Sequence, residues 1–563
     1  MTTAAGTEPW AALVGPEIEE NLGLRYVSAA LGRAGVATAI VPFNVPEDLA
    51  AVRARVLSAP SPPRLVALSL SFQWRARDFL GLAVALREAG YRGHITGGGH
   101  FGTFCRRELL RDFPELDSIV RFEAEETTAA LALALARGEP LDGIAGLTLR
   151  DAEGRPTDTP PRGAPDLERL PWPDRRGAPA SCLGHRIAPI VGSRGCYGSC
   201  AFCCIAAWHR EGGGGRRFRV RPVDDVADEL AWLWRELRAE IFIFHDDNFF
   251  LPRPADSLAR IDALADALAA RGVGRIATVV KARPNDLTRE VLLALRERLG
   301  LSRVFLGVES DADRGLATLA RRVTRAENRR AMDQLDELGI FPCFNLLVFD
   351  PDATPDDLED NLAFLEAFAE TPSNFGRVEL YAGTPLLERM QAEGRCRGDY
   401  LGWDYRLRDE RMQRVFSLAM GCFHPRNFAA GALANRLMGT RYDVEVARLF
   451  HPEVYRPNWL ARARTLSERL ACDTAAALRE ILAHVVERGP AAPAADLAAG
   501  LSHRMRAVER ELKDEATALE EEIQRAVGAR CVHARPVPNA LEIGKCVHGS
   551  AAMSYAARNG GEE

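Results

Sequence analysis

Two long stretches of the sequence alternate short apolar runs with amphipathic segments, and this alternation limits the possible folds more than any other feature. In the first stretch, residues 10 to about 150, the runs that predict strands cover residues 11–15, 36–42, 64–72, 93–99 and 117–123. In the second they cover residues 186–193, 240–247, 275–282, 303–310, 341–350 and 377–383. Strands that alternate with helices form parallel sheets covered on both faces. The sequence therefore predicts an α/β protein with two such sheets.

The two stretches predict different architectures. About five strands in the first are typical of a doubly wound, Rossmann-like or flavodoxin-like domain. Six β/α units in the second predict a partial (β/α)6 barrel with its site at the carboxyl ends of the strands. Six prolines between residues 158 and 180 indicate a linker, and helical periodicity dominates after about residue 396. We therefore divide the chain into a doubly wound domain (1–155), a proline-rich linker (156–186), a partial barrel (187–395), a helical C-terminal domain (396–530) and a flexible tail (531–563).

Composition excludes several classes of protein. The net charge is −6, so the chain lacks the broad basic field of a nucleic-acid-binding protein. The N-terminal sequence lacks the basic and apolar regions of a signal peptide, and no apolar run is long enough to span a membrane, so we expect a cytoplasmic protein without a membrane span. Twelve cysteines in so long a reduced chain do not indicate a disulfide framework.

Four cysteines are crowded into one glycine-rich loop that follows a predicted strand. Cys196, Cys200 and Cys203 have the spacing Cys-x3-Cys-x2-Cys, and Cys204 follows directly. A zinc ribbon needs a second pair of ligands, and no matching Cys-x2-Cys follows. A redox pair formed by Cys200 and Cys203 leaves Cys196 unexplained. Three thiolates fit an iron–sulfur cluster that keeps one iron open to a further ligand, as a catalytic metal requires. The alternative is a structural metal site.

The loop resembles the cluster motif of the radical S-adenosylmethionine (SAM) superfamily, in which an aromatic residue, here Phe202, precedes the last cysteine. This resemblance implies that Cys196, Cys200 and Cys203 hold a 4Fe-4S cluster and that SAM chelates the fourth iron and is cleaved to a 5′-deoxyadenosyl radical. Cys204 lies outside the motif.

Residues at the ends of later strands extend the resemblance. It implies that Asp246 or Asp247 holds the SAM ammonium group and that Glu309 and Ser310 approach the SAM ribose or carboxylate. A helix N-cap is the alternative for the acidic pair.

The N-terminal stretch resembles the cobalamin-binding domain that precedes many radical SAM barrels. The resemblance rests on the segments 21–42, 65–72, 95–102 and 117–131. It implies a cobalamin site at the following positions: Ser69, Ser71, Gly97, Gly98, Gly99, His100, Phe122 and Glu123. The family's usual Gly-Glu-Gly-Glu is replaced by residues 122–125, and the motif that supplies a histidine to cobalt is absent. The alternative is a domain that has kept the fold and lost the cofactor.

Both resemblances together imply a cobalamin-dependent radical SAM enzyme that methylates an unactivated carbon or a phosphorus. Its partners would be a small-molecule or peptide substrate and an electron donor of the flavodoxin or ferredoxin type. Because the cofactors carry the chemistry, we name no catalytic acid or base.

Three alternatives remain. A cyclase or rearrangement enzyme would share both domains without methyl transfer. A methylthiotransferase would need three further cysteines in the first domain, which has only Cys105. A non-enzymatic cobalamin or redox sensor would not need an open iron.

The C-terminal sequence repeats Cys-Val-His, at Cys531 to His533 and at Cys546 to His548. These side chains are candidates for a second metal site, although no local Cys-x2-Cys accompanies them. A flexible tail without metal is the alternative.

Overall fold

The computed structural model describes residues 10–58, 62–212, 214, 216–429 and 431–532. The strands are β1 (Ala11–Gly15), β2 (Thr38–Pro42), β3 (Leu65–Ser69), β4 (His94–Gly98), β5 (Ser118–Val120), β6 (Leu147–Arg150), β7 (Pro156–Asp158), β8 (Ser181–Cys182), β9 (His185–Ile190), β10 (Ser193–Gly195), β11 (Phe218–Val220), β12 (Ala239–Phe244), β13 (Ala277–Ala282), β14 (Leu301–Glu309), β15 (Pro342–Phe349), β16 (Ser373–Arg377), β17 (Cys396–Asp399) and β18 (Gly402–Tyr405). The α-helices are α1 (Leu22–Arg33), α2 (Leu49–Leu57), α3 (Ala76–Glu88), α4 (His100–Phe104), α5 (Arg106–Asp112), α6 (Glu125–Arg137), α7 (Ile205–Gly212), α8 (Val223–Glu236), α9 (Pro254–Ala270), α10 (Arg289–Leu299), α11 (Asp313–Thr318), α12 (Arg325–Glu337), α13 (Pro355–Ala367), α14 (Pro385–Ala392), α15 (Glu410–Phe423), α16 (Leu433–Phe450), α17 (Pro457–Arg488) and α18 (Ala495–Val527).

The first sheet has the order β2-β1-β3-β4-β5-β6-β7. Strands β1 to β5 are parallel and have the flavodoxin-like order. The chain reverses direction across the sheet between β1 and β3, and ligands of such sheets bind outside the carboxyl ends of the strands at this switch point. The fold therefore places the predicted glycine-rich turns where a cofactor is expected.

The second sheet has the order β16-β15-β14-β13-β12-β9-β8. Its six parallel strands from β9 to β16 confirm the predicted partial barrel, and the short strand β8 is added antiparallel to β9 at one edge. Four of the helices that follow barrel strands begin directly after a threonine. The hydroxyls of Thr288, Thr324, Thr354 and Thr384 accept a hydrogen bond from the first turns of α10, α12, α13 and α14. These caps fix the residue at which each of these helices begins.

Two details differ from the sequence prediction. The sixth barrel strand is Ser373–Arg377 rather than residues 377–383. Val378 and Leu380 are fully buried but lie beyond the strand. The alternation of apolar and polar residues at 377–383 is therefore caused by side-chain packing and not by pairing within the sheet. The first sheet has seven strands rather than about five, because β6 and β7 form an antiparallel hairpin at its edge, and β7 uses residues assigned to the linker. The other domain limits stay predictions.

Helices α15 to α18 confirm the helical C-terminal region, which also contains the short β17–β18 hairpin. Helices α16 and α18 pack on the open side of the barrel sheet in one apolar cluster that includes Ile243, Val279 and Leu437. No helix in the described ranges is both long and apolar enough to cross a membrane. The predicted tail, apart from Cys531 and Val532, falls outside the described residues.

Candidate active site

The cysteine loop begins at the end of β10, which pairs with β11 beside the barrel. Gly195 ends β10 with a φ of +89°, and a Cβ added there would lie 2.0 Å from the backbone oxygen of Arg217. Only glycine fits such a close approach with that backbone conformation. The loop therefore leaves the strand at a fixed point and carries the first motif cysteine directly after it.

The three motif cysteines and Phe202 line one cavity, which we call the cluster-side cavity. It is also lined by Asn248, Arg283, Glu309, Arg321 and Asn345, and it encloses about 930 Å³ of space including its opening. Cys204 does not line it. The structure thus brings together Cys196, Cys200 and Cys203, and separates them from their neighbour in sequence.

Two arginines hold the thiol of Cys200. Nη1 of Arg321 donates to its Sγ at 3.0 Å, and Nη1 of Arg283 donates at 3.2 Å. Burial alone would raise the pKa of this thiol, but the two guanidinium groups outweigh burial, so the pKa is lowered from its usual value. Burial raises the pKa of Cys196 to about 11 and also raises that of Cys203. The two arginines therefore favour the thiolate form of Cys200, which is the form that binds iron.

The spacing of the sulfurs fits a cluster better than a single metal ion. In the described part of the chain, the motif cysteines do not form a group whose ligand atoms all lie within 4.8 Å of one another. A tetrahedral zinc ion holds its sulfur ligands about 3.8 Å apart. In an iron–sulfur cluster each thiolate binds a separate iron, so the sulfurs stand farther apart. The residues present therefore fit a 4Fe-4S cluster.

The acidic pair after β12 is divided between two roles. Asp246 is buried and accepts hydrogen bonds from the backbone nitrogen of Gly192 at 2.6 Å and the hydroxyl of Ser193 at 2.7 Å. It does not line the cluster-side cavity. Asp247 does line it, and its carboxylate accepts from the backbone nitrogen of Gly195 at 3.0 Å. Asp246 thus fixes the turn before the cysteine loop, and Asp247 is the carboxylate available to a ligand.

The two residues predicted at the end of β14 also separate. Glu309 lines the cluster-side cavity with a φ of +64°, a conformation that is rare and strained for a residue with a side chain. The hydroxyl of Ser310 instead lies 3.4 Å from Oδ1 of Asn361, away from the cavity.

Four further residues of this cavity escaped sequence analysis: Asn248, Asn345, Arg283 and Arg321. The side-chain oxygens of Asn248 and Asn345 are buried without a hydrogen-bond partner, which suits a ligand with ammonium or hydroxyl donors such as SAM. Arg283 follows β13 directly, so its position at a strand end could have identified it. Arg321 lies between two helices, and nothing in its local sequence marks it.

A second cavity lies at the carboxyl ends of β3, β4 and β5, and we call it the N-terminal cavity. It encloses about 1150 Å³ including its opening, and all eight positions predicted for cobalamin line it. They are Ser69, Ser71, Gly97, Gly98, Gly99, His100, Phe122 and Glu123. The fold therefore brings together turns that are 54 residues apart in the sequence.

Two backbone positions shape the N-terminal cavity. Gly99 has a φ of +102°, and a Cβ added there would lie 2.6 Å from Oγ of Ser71 and 2.9 Å from its backbone nitrogen. Phe122 stands where the related pattern has glycine and nevertheless has a φ of +58°. Its ring contacts Trp208, with 5.3 Å between the ring centroids. The turn thus keeps the glycine-like backbone while an aromatic ring lies against α7, and the glycine cradle fits a large cofactor such as cobalamin.

Charged groups join the N-terminal cavity to the cysteine loop. The carboxylate of Glu123 binds the guanidinium groups of Arg194 and Arg219, and Arg194 also binds Glu125 at 2.6 Å. Burial opposes ionisation of Glu123, but its contact with His209 and the two arginines lower its pKa to about 2. Glu123 is therefore ion-paired with Arg194, which lies two residues before Cys196, the first motif cysteine.

The imidazole of His100 lies on Trp208, with 4.3 Å between the ring centroids. Burial lowers its pKa to about 4, so the ring is neutral at physiological pH.

The cavities form a series. Ile205 and Asp247 line both the N-terminal cavity and the cluster-side cavity. Phe305 lines both the cluster-side cavity and a larger cleft between the barrel and α16, which we call the interior cleft and which is also lined by Ile243, Val279 and Arg436. Each neighbouring pair of cavities therefore shares a wall.

Comparison with known families explains this arrangement. Residues 190–365 match the radical SAM superfamily, and residues 12–132 match the B12 binding domain. The chain therefore contains a radical SAM domain preceded by a B12-binding domain. These matches confirm the predicted family, the fold class and the cofactor classes, which are a 4Fe-4S cluster, SAM and cobalamin. The residues that contact each cofactor stay proposals.

Several named proteins are similar to part of this chain. It is 28% identical over 300 residues to an uncharacterized methyltransferase of Pyrococcus horikoshii, covering 52% of this chain and 62% of that protein. It is 29% identical over 342 residues to the hopanoid C-3 methylase of Methylococcus capsulatus, covering 59% of this chain and 61% of that protein. It is 26% identical over 309 residues to the anaerobic magnesium-protoporphyrin IX monomethyl ester cyclase of Rubrivivax gelatinosus, covering 53% of this chain and 52% of that protein. The chain thus spans between half and two thirds of the length of these relatives.

Solved structures show the same fold. The cobalamin-dependent SAM radical enzyme OxsB with aqua-cobalamin bound matches 92% of this chain and 80% of its own, with a TM-score of 0.64 and 18% identity. The radical SAM methyltransferase TsrM from Kitasatospora setae, with cobalamin and a 4Fe-4S cluster bound, matches 69% of this chain and 75% of its own, with a TM-score of 0.56 and 17% identity. These likenesses extend the shared fold beyond the two matched domains.

Proposed function

We propose that the protein is a cobalamin-dependent radical SAM methyltransferase acting on an unactivated carbon or a phosphorus of a small-molecule or peptide substrate. The observation that carries this proposal is the wall shared by the N-terminal cavity and the cluster-side cavity, formed by Ile205 and Asp247. Methyl transfer by this route needs a cobalamin and a SAM site close together. Named methyltransferases among the relatives support the same activity.

Residues of this chain would bind each group at a separate part of the site. Cys196, Cys200 and Cys203 would hold the cluster, and Asp247 and Asn248 would hold SAM through its ammonium group. When bound, the cluster with SAM supplies a carbon-centred radical, and cobalamin supplies the methyl group.

The substrate would lie in the interior cleft and reach the cluster-side cavity past Phe305. Helix α16 covers this cleft and would exclude water from the reacting atoms. An electron donor of the flavodoxin or ferredoxin type in the cytoplasm would complete the reaction.

The test is to purify the protein without oxygen, reconstitute it with iron, sulfide and cobalamin, and add SAM with a strong reductant. We expect about four irons and one cobalt per chain. We also expect two products from SAM, 5′-deoxyadenosine and S-adenosylhomocysteine, because the second forms only when the methyl group leaves SAM. Variants Cys196→Ala, Cys200→Ala and Cys203→Ala should lose iron and both products, and Cys204→Ala should keep them.

Two outcomes would refute parts of the proposal. Formation of 5′-deoxyadenosine alone would favour the cyclase or rearrangement reaction, which the relative in Rubrivivax gelatinosus supports. Iron without cobalt would leave the first domain without its proposed cofactor, and methyl transfer would lose its basis.

A further inference from the structure

Three side chains from distant parts of the sequence meet at the edge of the barrel, outside the cluster-side cavity and the N-terminal cavity. They are Cys182 on β8, Asp443 on α16 and Cys531 just after α18. The two sulfurs lie 3.3 Å apart, and each lies 3.3 Å from Oδ1 of Asp443. Among the described residues, these form the one group of three or more His, Cys, Asp or Glu side chains whose ligand atoms all lie within 4.8 Å of one another.

The backbone holds this cluster together independently of its side chains. The nitrogen of Ser181 donates to the oxygen of Val532 at 2.7 Å, and the nitrogen of Val532 donates to the oxygen of Ser181 at 2.8 Å. This antiparallel bridge places Cys531 beside Cys182, although 349 residues separate them in the sequence. Cys182 is buried, and Cys531 packs against the same apolar cluster as α16 and α18. The two thiols are therefore brought together by the fold rather than by chance on a free surface.

We propose that Cys182, Asp443 and Cys531 bind a divalent metal ion of the zinc class. Two thiolates and one carboxylate are a donor set that zinc accepts, and thiolates disfavour magnesium and calcium. The three ligand atoms form a triangle with sides of 3.3 Å, whereas two sulfurs on tetrahedral zinc are about 3.8 Å apart, so binding requires the triangle to open by roughly half an ångström. All three residues line the interior cleft, where water or another ligand can take the fourth position. Binding would release the thiol protons to solvent.

The metal would fasten the end of the helical region to the barrel. Strand β8 is the edge of the second sheet, and Asp443 belongs to the helix that covers the interior cleft. One ion would thus join the edge strand, the covering helix and the segment after α18. The repeated Cys-Val-His predicted as a metal site contributes Cys531, but the partners are Cys182 and Asp443. His533, Cys546 and His548 lie outside the described residues.

The test uses the full chain, purified without oxygen and with its cluster reconstituted, and measures zinc and iron separately by mass spectrometry of the elements. We expect about one zinc per chain in the parent protein. Cys182→Ser and Cys531→Ser should each reduce zinc at least tenfold, and Asp443→Asn should reduce it less, because it leaves both thiolates in place. Iron should stay at the parent level in all of them, since the cluster-side cavity does not include these residues. Cys472→Ser, an exposed thiol on α17, is the matched control and should keep the zinc.

A second measurement does not depend on the variants folding. Cobalt(II) added to the parent protein after removal of zinc should give the thiolate-to-metal absorption of a tetrahedral sulfur site, and zinc should displace it. Zinc below a tenth of an equivalent together with no such absorption would overturn the proposal. Zinc retained in both cysteine variants would overturn it as well.

A disulfide between Cys182 and Cys531 in the oxygen-free protein, detected by peptide mass after alkylation, would also overturn it, since the thiols would then be unavailable. These results are independent of SAM cleavage, so failure of the proposed methyltransferase activity would leave them unaffected.

Discussion

Replacing Glu123 by glutamine should weaken the junction between the first domain and the cysteine loop. The side chain of Glu123 is only 9% exposed, and it balances the buried guanidinium groups of Arg194 and Arg219. Its pKa falls from 4.5 to about 2 in the folded protein, which corresponds to roughly 3 kcal/mol of stability near neutral pH. Removing one partner of a buried ion pair lowers the free energy of unfolding by about 3–5 kcal/mol. The pKa shift and the loss of the ion pair therefore give a similar magnitude.

The neighbouring Glu126 supplies a matched control. It is an acidic residue in the first turn of α6, three residues after Glu123, but its side chain is 46% exposed and its partner Arg162 is 27% exposed. Exposed ion pairs contribute less than about 1 kcal/mol, so Glu126→Gln should change the stability little. Glu126→Gln measures the effect of losing an exposed carboxylate at the start of a helix. The additional effect of Glu123→Gln then measures the loss of a buried charge.

The pH dependence gives a further check on the Glu123 variant. Because the pKa of Glu123 is depressed in the folded state, its contribution is fully present above about pH 4.5 and is lost as the pH falls toward 2. The difference in the free energy of unfolding between the parent protein and Glu123→Gln should therefore fall by more than half between pH 7 and about pH 3.

Urea unfolding of the cofactor-free protein, followed by tryptophan fluorescence, measures these differences. Trp208 lies against Phe122, so the junction contributes to the signal. The reasoning would be refuted if Glu123→Gln lowered the free energy of unfolding no more than Glu126→Gln does. It would also be refuted if the effect of Glu123→Gln did not change with pH.

Three further expectations follow from the site. Cys196→Ala should abolish bound iron and sulfide while Cys204→Ala retains both, and equal loss in the two variants would contradict the ligand assignment. Gly99→Ala should weaken cobalamin binding, measured by visible absorption, and destabilise the protein by about 2–4 kcal/mol because of its positive φ and the contact with the backbone. Gly98→Ala should be milder, since a Cβ there meets nothing closer than 3.6 Å; equal effects would refute the steric argument. Asp247→Asn should lower SAM affinity, measured by equilibrium dialysis, at unchanged iron content, and an unchanged affinity would remove Asp247 from the SAM site.

The parts of the site that the sequence predicted are those encoded over short distances. The spacing of Cys196, Cys200 and Cys203 is local, and the strand before the loop is marked by its apolar run. The glycines after β4 stand at a strand end, where parallel sheets bind ligands. Such features depend on a few consecutive residues, so a short sequence pattern is enough to predict them.

The parts that were missed depend on distant contacts. Arg321 reaches Cys200 across 121 residues, and Cys531 reaches Cys182 across 349. Val378 and Leu380 imitate a strand because packing buries them without sheet pairing. The different roles of Asp246 and Asp247 follow from the side of the chain that each faces, since neighbouring residues after a strand point in opposite directions. No local pattern encodes these outcomes.

The wall formed by Ile205 and Asp247 has a thermodynamic consequence for loading the protein. An occupant of the cluster-side cavity that moves Ile205 or Asp247 would also change the surface that a ligand of the N-terminal cavity meets, because both cavities use these two side chains. If filling one cavity strengthens binding in the other by some factor, the second strengthens the first by the same factor, as linkage requires. With such coupling, the affinity for a ligand of either cavity would depend on the occupant of the other, and an affinity measured with one cavity empty would describe a different equilibrium from that of the loaded protein.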